Sequence, residues 1–283
     1  MPFLEEQLNF VIWVSQMRGP LLDPFFRFLN YFDTSYFYFI LIPLVWIGFS
    51  YRWGIRLAYL SLISNNVIHI VKNYFEWPRP SHLVPGLGLF DFQSYSFPSG
   101  GAQMSFLLGG LLIYYGKSRL TTIIGLTYIF LISFSRIYLG VHFPGDVLGG
   151  WFFAAILLFL FIRFIEPIEA FLKKKGLIFA FIISQSLPLL YLAITHRGVS
   201  EMAGAMAMGL GICLSFHYKL YLPPPKTILI GLFRALLAVA GVYLFYFFWP
   251  KQLSRPVQSF TISLWLSLIA SPICNFFLRS KNK

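Results

Sequence analysis

Charge is what this sequence has least of. Only 11% of its 283 residues are Asp, Glu, Lys or Arg, against about 25% in a soluble domain of ordinary composition. Too few remain to cover a water-facing surface, which excludes an ordinary cytosolic enzyme and a disordered chain. Cysteine is nearly missing as well. Cys213 and Cys274 both sit in apolar runs and read as buried thiols, so a disulfide scaffold is excluded. Acids are scarce even within the small charged fraction: 10 Asp+Glu against 22 Lys+Arg, a net charge of +12. The basic residues are spread over short segments rather than clustered. Bilayer orientation and anionic head groups account for them, and no nucleic-acid partner is expected. Glu5 and Glu6 stand where a cleavable leader would be basic, so none is expected.

What is present is apolar. Hydrophobic residues make up 58% of the chain and aromatics 20%, with 33 Phe. A bilayer core about 30 Å thick takes about 20 helical residues to cross. Apolar stretches of that order fall at 35–51, 55–73, 100–116, 120–138, 146–165, 176–195, 201–220, 227–249 and 258–278. The expected fold is therefore all-α, a polytopic transmembrane helix bundle of about nine spans. Residues 4–31 mix Phe, Leu and Trp with charges and are broken at Gly19-Pro20 and Asp23-Pro24, which predicts short interfacial helices. The predicted organisation is an interfacial segment at 1–34, a transmembrane core at 35–165 and a four-helix extension at 166–283. Residues 166–175 (EPIEAFLKKK) form a charged break expected to be a loop.

Basic residues between the expected spans give an orientation. After odd-numbered spans come 13 of the 22, ending in Arg279, Lys281 and Lys283; the other side has eight, among them Arg197 and Lys251. The positive-inside rule then places the C-terminus in the cytoplasm and the N-terminus outside. Trp53, Trp77, Tyr138, Trp151 and Trp249, near span ends, suit interface belts. Gly204, Gly209 and Gly211 with neighbouring alanines read as a helix-packing face. His69 reads as packing and His196-Arg197 as solvated. Arg234, inside a span, is costly there and is left out of any site.

Three segments fall on the expected outer face. Lys72 to Arg79-Pro80 leaves the second span. Pro98-Ser99-Gly100-Gly101-Ala102-Gln103 begins the third. Ser135-Arg136 to His142 and Asp146 joins the fourth to the fifth. Together they supply three cations, a Ser-Gly turn before a helix and a His–Asp pair four residues apart. That inventory suits a phosphoryl group. Lys and Arg neutralise its oxygens, a helix N-terminus adds N–H donors, and the carboxylate holds one imidazole nitrogen protonated so that the other can attack. Of the ten acids only Glu76, Asp91 and Asp146 lie near these segments in sequence. No carboxylate or histidine cluster has metal-ligand spacing, so no metal or other cofactor is expected.

Lys-x6-Arg-Pro, Pro-Ser-Gly and Ser-Arg-x5-His-x3-Asp, in that order over residues 72–146, resemble the signature of the type 2 phosphatidic acid phosphatase (PAP2) superfamily. Its members include lipid phosphate phosphatases, polyprenyl pyrophosphate phosphatases and glucose-6-phosphatases. The early Leu-Asn-Phe-Val-Ile-Trp-Val-Ser stretch, Asp23-Pro24 and the nine expected spans are similar to the glucose-6-phosphatase branch. The resemblance implies that His142 is the nucleophile and forms a phosphohistidine, and that Asp146 orients it. Lys72, Arg79, Ser99, Gly100 and Arg136 would bind the substrate phosphate. It implies a metal-independent membrane phosphatase acting on a phosphorylated lipid or polyprenyl pyrophosphate. A small phosphorylated sugar is the alternative, as is a catalytically dead protein that binds or transports a phosphorylated lipid.

One position departs. The family pattern is Pro-Ser-Gly-His, and that histidine protonates the leaving group; here Gly101 stands in its place. Loss of a general acid typically costs about 10²–10⁴ in rate. Gln103 is a poor acid, and His82 is too distant along the chain to assign. The expectations are an inactivated variant, a pyrophosphate substrate whose leaving group needs less protonation, or a binding protein. The first is favoured because every other motif position is intact.

Overall fold

The computed structural model describes residues 2–195, 198–250 and 252–280, and every regular element among them is helical. His196, Arg197, Lys251, Lys281 and Lys283, used above in the solvation and orientation arguments, lie outside the described residues. The helices are α1 (Pro2–Ser15), α2 (Leu22–Asn30), α3 (Ser35–Pro43, extended by a π-helical turn Leu44–Phe49), α4 (Tyr51–Phe75), α5 (Pro80–Leu83), α6 (Gly100–Gly116), α7 (Arg119–Tyr138), α8 (Pro144–Lys175), α9 (Leu177–Thr195), α10 (Val199–His217), α11 (Ile228–Phe247), α12 (Arg255–Leu264, extended by a π-helical turn Trp265–Ile269) and α13 (Ala270–Ser280). A single 3₁₀ turn, Tyr31–Asp33, follows α2.

Local chemistry sets several boundaries. Ser99, Ser118 and Thr227 are extended residues whose hydroxyls accept from the backbone N–H three residues on. Each such cap stabilises a helix start by about 1 kcal/mol. Lys117 takes the left-handed conformation that ends α6 and lets α7 begin two residues later.

Among the described residues six helices are long and apolar enough to cross a membrane: Tyr51–Leu83, Arg119–Tyr138, Pro144–Lys175, Val199–His217, Ile228–Phe247 and Arg255–Leu278. The pair Leu22–Asp33 and Ser35–Phe49, bent by 57°, makes a seventh if it is one span. The nine spans expected from hydropathy are therefore not reached by this criterion. The segments at 100–116 and 176–195 are helical, but α6 has only 17 residues and the apolar part of α9 is Leu177–Ala193. On α8, Leu148, Phe152, Ile156 and Phe159 form an exposed apolar stripe, with Phe152 61% and Phe159 65% exposed. In water such a face is costly; against lipid it is at rest.

Residues 166–175 are not the expected loop. They are the last turns of α8, which runs unbroken through Pro167 for 32 residues. At 1.5 Å per residue that is about 48 Å, well beyond the hydrocarbon thickness. The charged end can therefore lie outside the bilayer without ending the helix.

The chain falls into two compact units: Met1–Phe37 with Leu60–Ile165, and Tyr38–Tyr59 with Glu166–Lys283. Residues 1–37 belong with the motif-bearing unit and 38–59 with the rear one.

In the first unit α1 and α2 are built into the core. Val11, Val14, Phe26 and Leu29 are buried in one cluster with Ile132 and Tyr138 of α7. Arg18 donates to the Tyr138 carbonyl at 2.8 Å, and the Tyr138 hydroxyl donates to Asp23 at 2.6 Å. The Gly145 N–H, at the start of α8, donates to Gln7 at 2.6 Å. α6 and α7 cross where Gly109 and Gly125 face each other: a Cβ on either would lie 2.8 Å from the carbonyl oxygen of the other. In the second unit, buried Arg56 is held by Glu169 at 2.6 Å and Gln258 donates to the Phe245 and Tyr246 carbonyls. Arg234 is buried there and donates to the Pro223 carbonyl at 2.7 Å.

The glycine crossing generates a stability expectation. Gly109→Val forces α6 and α7 apart and lowers stability by about 1–3 kcal/mol. Thermal unfolding in detergent measures it, and an unchanged midpoint refutes the close approach.

Candidate active site

Lys72 lies in the last turn of α4, with its stem buried. Its ammonium donates to the Tyr95 carbonyl and, at 3.0 Å, to the Ser96 carbonyl. Arg79 follows the end of α4 and is 3% exposed. Its Nε donates to the Ser94 carbonyl at 2.6 Å, one terminal nitrogen donates to the Ser94 hydroxyl at 2.8 Å, and the other donates to the Val141 carbonyl at 2.8 Å. These bonds tie the chain between α5 and α6 to both cations. The Ser99 N–H in turn donates to the Asp146 carbonyl at 2.9 Å. The three motif segments are thus stitched together largely through backbone carbonyls, whose partial charges stabilise buried cations without neutralising them.

His142 occupies the short connection between α7 and α8 and is 3% exposed. Its Nδ1 faces Asp146 Oδ2 at 3.3 Å and the Ser96 hydroxyl at 3.4 Å. Asp146 Oδ2 also accepts from the Phe143 N–H at 2.8 Å and from the Ser96 hydroxyl. A carboxylate opposite Nδ1 selects the tautomer protonated there and leaves the Nε2 lone pair outward. Arg79 stands at that nitrogen, 3.2 Å away. A phosphoryl group bound by Arg79 is therefore placed next to Nε2.

Arg136 ends α7, 1% exposed. One terminal nitrogen donates to the Asn30 side chain at 2.5 Å and the other faces Asp33 Oδ2 at 3.4 Å. Its Nε is buried with no hydrogen-bond partner among the described residues. Arg79 and Arg136 both lie over the Phe92 ring, at 4.9 and 5.8 Å from its centroid.

The sequence-derived residues are thus placed as follows. Lys72, Arg79, Arg136, His142 and Asp146 are brought together, and the charges of the three cations all act on the His142 imidazole. Ser99 caps α6 and is fully buried, with Gly100 and Gly101 as the first helical residues after it. Gln103 does not serve the site: its amide donates to the Ser64 carbonyl and hydroxyl. His82 has both ring nitrogens engaged, with the Arg79 N–H and the Phe92 carbonyl.

Of the three acids near the motif segments in sequence, Asp146 joins the site and the other two do not. Glu76 and Asp91 are exposed, and Asp91 accepts from Gln93 at 3.1 Å. The carboxylate that joins Asp146 is Asp33, more than a hundred residues away in sequence from Arg136. It was passed over because proximity was judged along the chain. Asn30 is equally remote in sequence, whereas Ser94 and Ser96 lie just before the Pro98-Ser99-Gly100 segment but belong to no motif. No group of three or more His, Cys, Asp or Glu that could hold a metal ion is present among the described residues.

Burial first, and then the charges of Arg79, Lys72 and Arg136, hold the His142 pKa well below its usual 6.5. Each penalises the imidazolium, so the free site keeps a neutral imidazole at neutral pH. The proton is gained only as pH falls well below 6.5. Ring ¹⁵N spectra of the wild type minus those of His142→Asn should show a neutral His142 at pH 6; half-protonation at or above pH 6.5 contradicts it.

The profile of the PAP2 superfamily matches residues 53–169. Phosphatidylglycerophosphatase B of Bacillus subtilis is 30% identical over 171 residues, which cover 56% of this chain and 82% of that protein. Undecaprenyl-diphosphatase of Sulfolobus acidocaldarius is 30% identical over 127 residues, covering 42% of this chain and 61% of that one. The crystal structure of Aquifex aeolicus LpxE superposes with a TM-score of 0.50 at 30% identity, over 55% of this chain and 94% of that one.

Proposed function

Because this chain belongs to the PAP2 superfamily, we propose that it is an integral membrane phosphatase that hydrolyses a lipid phosphate through a phosphohistidine on His142. One observation carries the reading. Three buried cations face two carboxylates, and Asp146 is already committed to His142 and Ser96. Positive charge in a low-dielectric site without matching anions is expensive. An anion of two negative charges offsets it, and the unpartnered Arg136 Nε marks one place where its oxygen is received.

His142 Nε2 attacks phosphorus in line with the departing oxygen. Asp146 holds Nδ1–H and stabilises the charge that the ring gains as the N–P bond forms. Lys72, Arg79 and Arg136, with Ser99 and the amide of Gly100, hold the equatorial oxygens; fixed donors of this kind act where charge develops. Three cationic side chains supply the neutralisation that a divalent metal supplies elsewhere, so turnover in chelator is expected. Lipid substrates are favoured over glucose 6-phosphate by the membrane-embedded scaffold and by the lipid-phosphate specificity in the relatives' names. The distribution of basic residues favours an extracytoplasmic site.

The test is phosphate release by the detergent-purified protein with EDTA present. The panel is phosphatidylglycerol phosphate, phosphatidic acid, a polyprenyl diphosphate and glucose 6-phosphate. Metal-independent turnover of a lipid member is expected, and His142→Asn lowers it by about 10³-fold or more. Preference for glucose 6-phosphate would overturn the lipid assignment. Full activity in His142→Asn would overturn the phosphohistidine.

A further inference from the structure

Gly101 leaves no empty space. A Cβ built on it would lie 2.8 Å from Cγ and Oδ2 of Asp33 and 3.0 Å from Oδ1. The carboxyl group of Asp33 therefore fills the volume in which any side chain at position 101 would begin. It arrives there from the 3₁₀ turn after α2, and Arg136 faces it at 3.4 Å. The charges of Arg136, Lys72 and Arg79 all act on it, as they do on His142. Arg136 is 1% exposed, whereas 21% of the Asp33 side chain remains open, so a bound molecule can reach it.

The other groups at the site are committed to other partners or other roles. His142 attacks, and Asp146 is held by Ser96, by the Phe143 N–H and by His142 Nδ1. The guanidinium groups of Arg79 and Arg136 do not give up protons. Lys72 is turned onto the Tyr95 and Ser96 carbonyls. An alkoxide departing from phosphorus needs a proton, and Asp33 is the carboxyl group in the cations' field that is not already hydrogen-bonded to His142 and Ser96.

We infer that Asp33 donates the proton to the departing oxygen, with Gly101 kept side-chain-free to admit its carboxyl. This rests on the phosphatase reading above and replaces the expectation that Gly101 leaves the chain impaired. A phosphate monoester titrates near pH 6, so part of it arrives as the protonated monoanion. The phosphoryl group takes over the cations, Arg136 included, and its proton passes to the Asp33 carboxylate. His142 Nε2 then bonds to phosphorus, the P–O bond to the alcohol breaks, and the alcohol oxygen takes the proton from Asp33. In the second half, water attacks the phosphohistidine, the N–P bond breaks, one water proton passes to Asp33, and phosphate leaves as the monoanion carrying that proton, which restores the Asp33 carboxylate. Protons balance over the cycle with no further reactant.

A proton donor leaves a signature that a purely structural carboxylate lacks. Its removal slows esters with poor leaving groups far more than those with good ones. We would measure kcat of the purified protein on a dialkyl-glycerol phosphate and on p-nitrophenyl phosphate, for the wild type and Asp33→Asn. The expected loss on the alkyl ester is about 10²–10⁴-fold, at least tenfold greater than the loss on the aryl ester. Equal losses on both, or no loss on either, overturn the inference while leaving the phosphatase reading intact. A wild type silent on every phosphate ester overturns both. The pair Gly101→His and Asp33→Ala/Gly101→His guards against an unfolded Asp33→Asn. The single substitution collides with Asp33 and loses activity, and the double restores the alkyl-to-aryl ratio toward wild type. A Gly101→His enzyme faster than wild type also refutes the inference.

Discussion

The structure turns on an excess of positive charge that has been taken out of water. Lys72, Arg79 and Arg136 are all less than a tenth exposed, and a cation in such surroundings persists only if something compensates it. Carbonyl oxygens of Tyr95, Ser96, Ser94 and Val141 do part of that work, and Asn30 and Asp33 do part for Arg136. The remainder is left for a bound anion. The same requirement shapes the chain between α5 and α6. It has no regular structure, and the cations hold it by its carbonyls.

His142 depends on this arrangement in two ways. The cations around it suppress the imidazolium and keep the free base available. In the proposed reaction, a bound anion cancels their charge and lets the imidazole bear the positive charge that bond formation creates. Asp146 then acts as an orienting and stabilising partner, fixed by the Phe143 N–H and by Ser96 rather than by a second histidine.

Much of the fold was legible because a bilayer imposes one rule on sequence: backbone polar groups pair within a helix, and the side chains outside are apolar. Hydropathy therefore placed a helix at each long apolar stretch from residue 35 on, and left out the short α5. It could not count spans, because α6 and α9 are short and α3 bends against the segment before it. It also took the charged residues 166–175 for a loop, when charge ends a membrane crossing without ending a helix. The segment 1–34 read as interfacial because its Phe and Leu residues are mixed with charges. Those charges instead make specific bonds, Arg18 to the Tyr138 carbonyl and Asp23 to the Tyr138 hydroxyl, that fasten α1 and α2 to α7.

The amino-acid sequence by itself determined the helical class, the membrane as solvent, and five groups of the site whose spacing within short motifs reflects a shared chemistry: Lys72, Arg79, Arg136, His142 and Asp146. Only the tertiary structure decided what stands beside them. Asn30, Asp33, Ser94 and Ser96 reach the site from turns and irregular chain whose local sequence carries no motif, and the meaning of Gly101 depends on a carboxyl group that approaches it from 68 positions earlier. The physical reason is that spacing within a helix or turn fixes neighbours only over a few residues. Contacts between α2, α6 and α7 are fixed by how buried surfaces pack, and a single sequence does not display that.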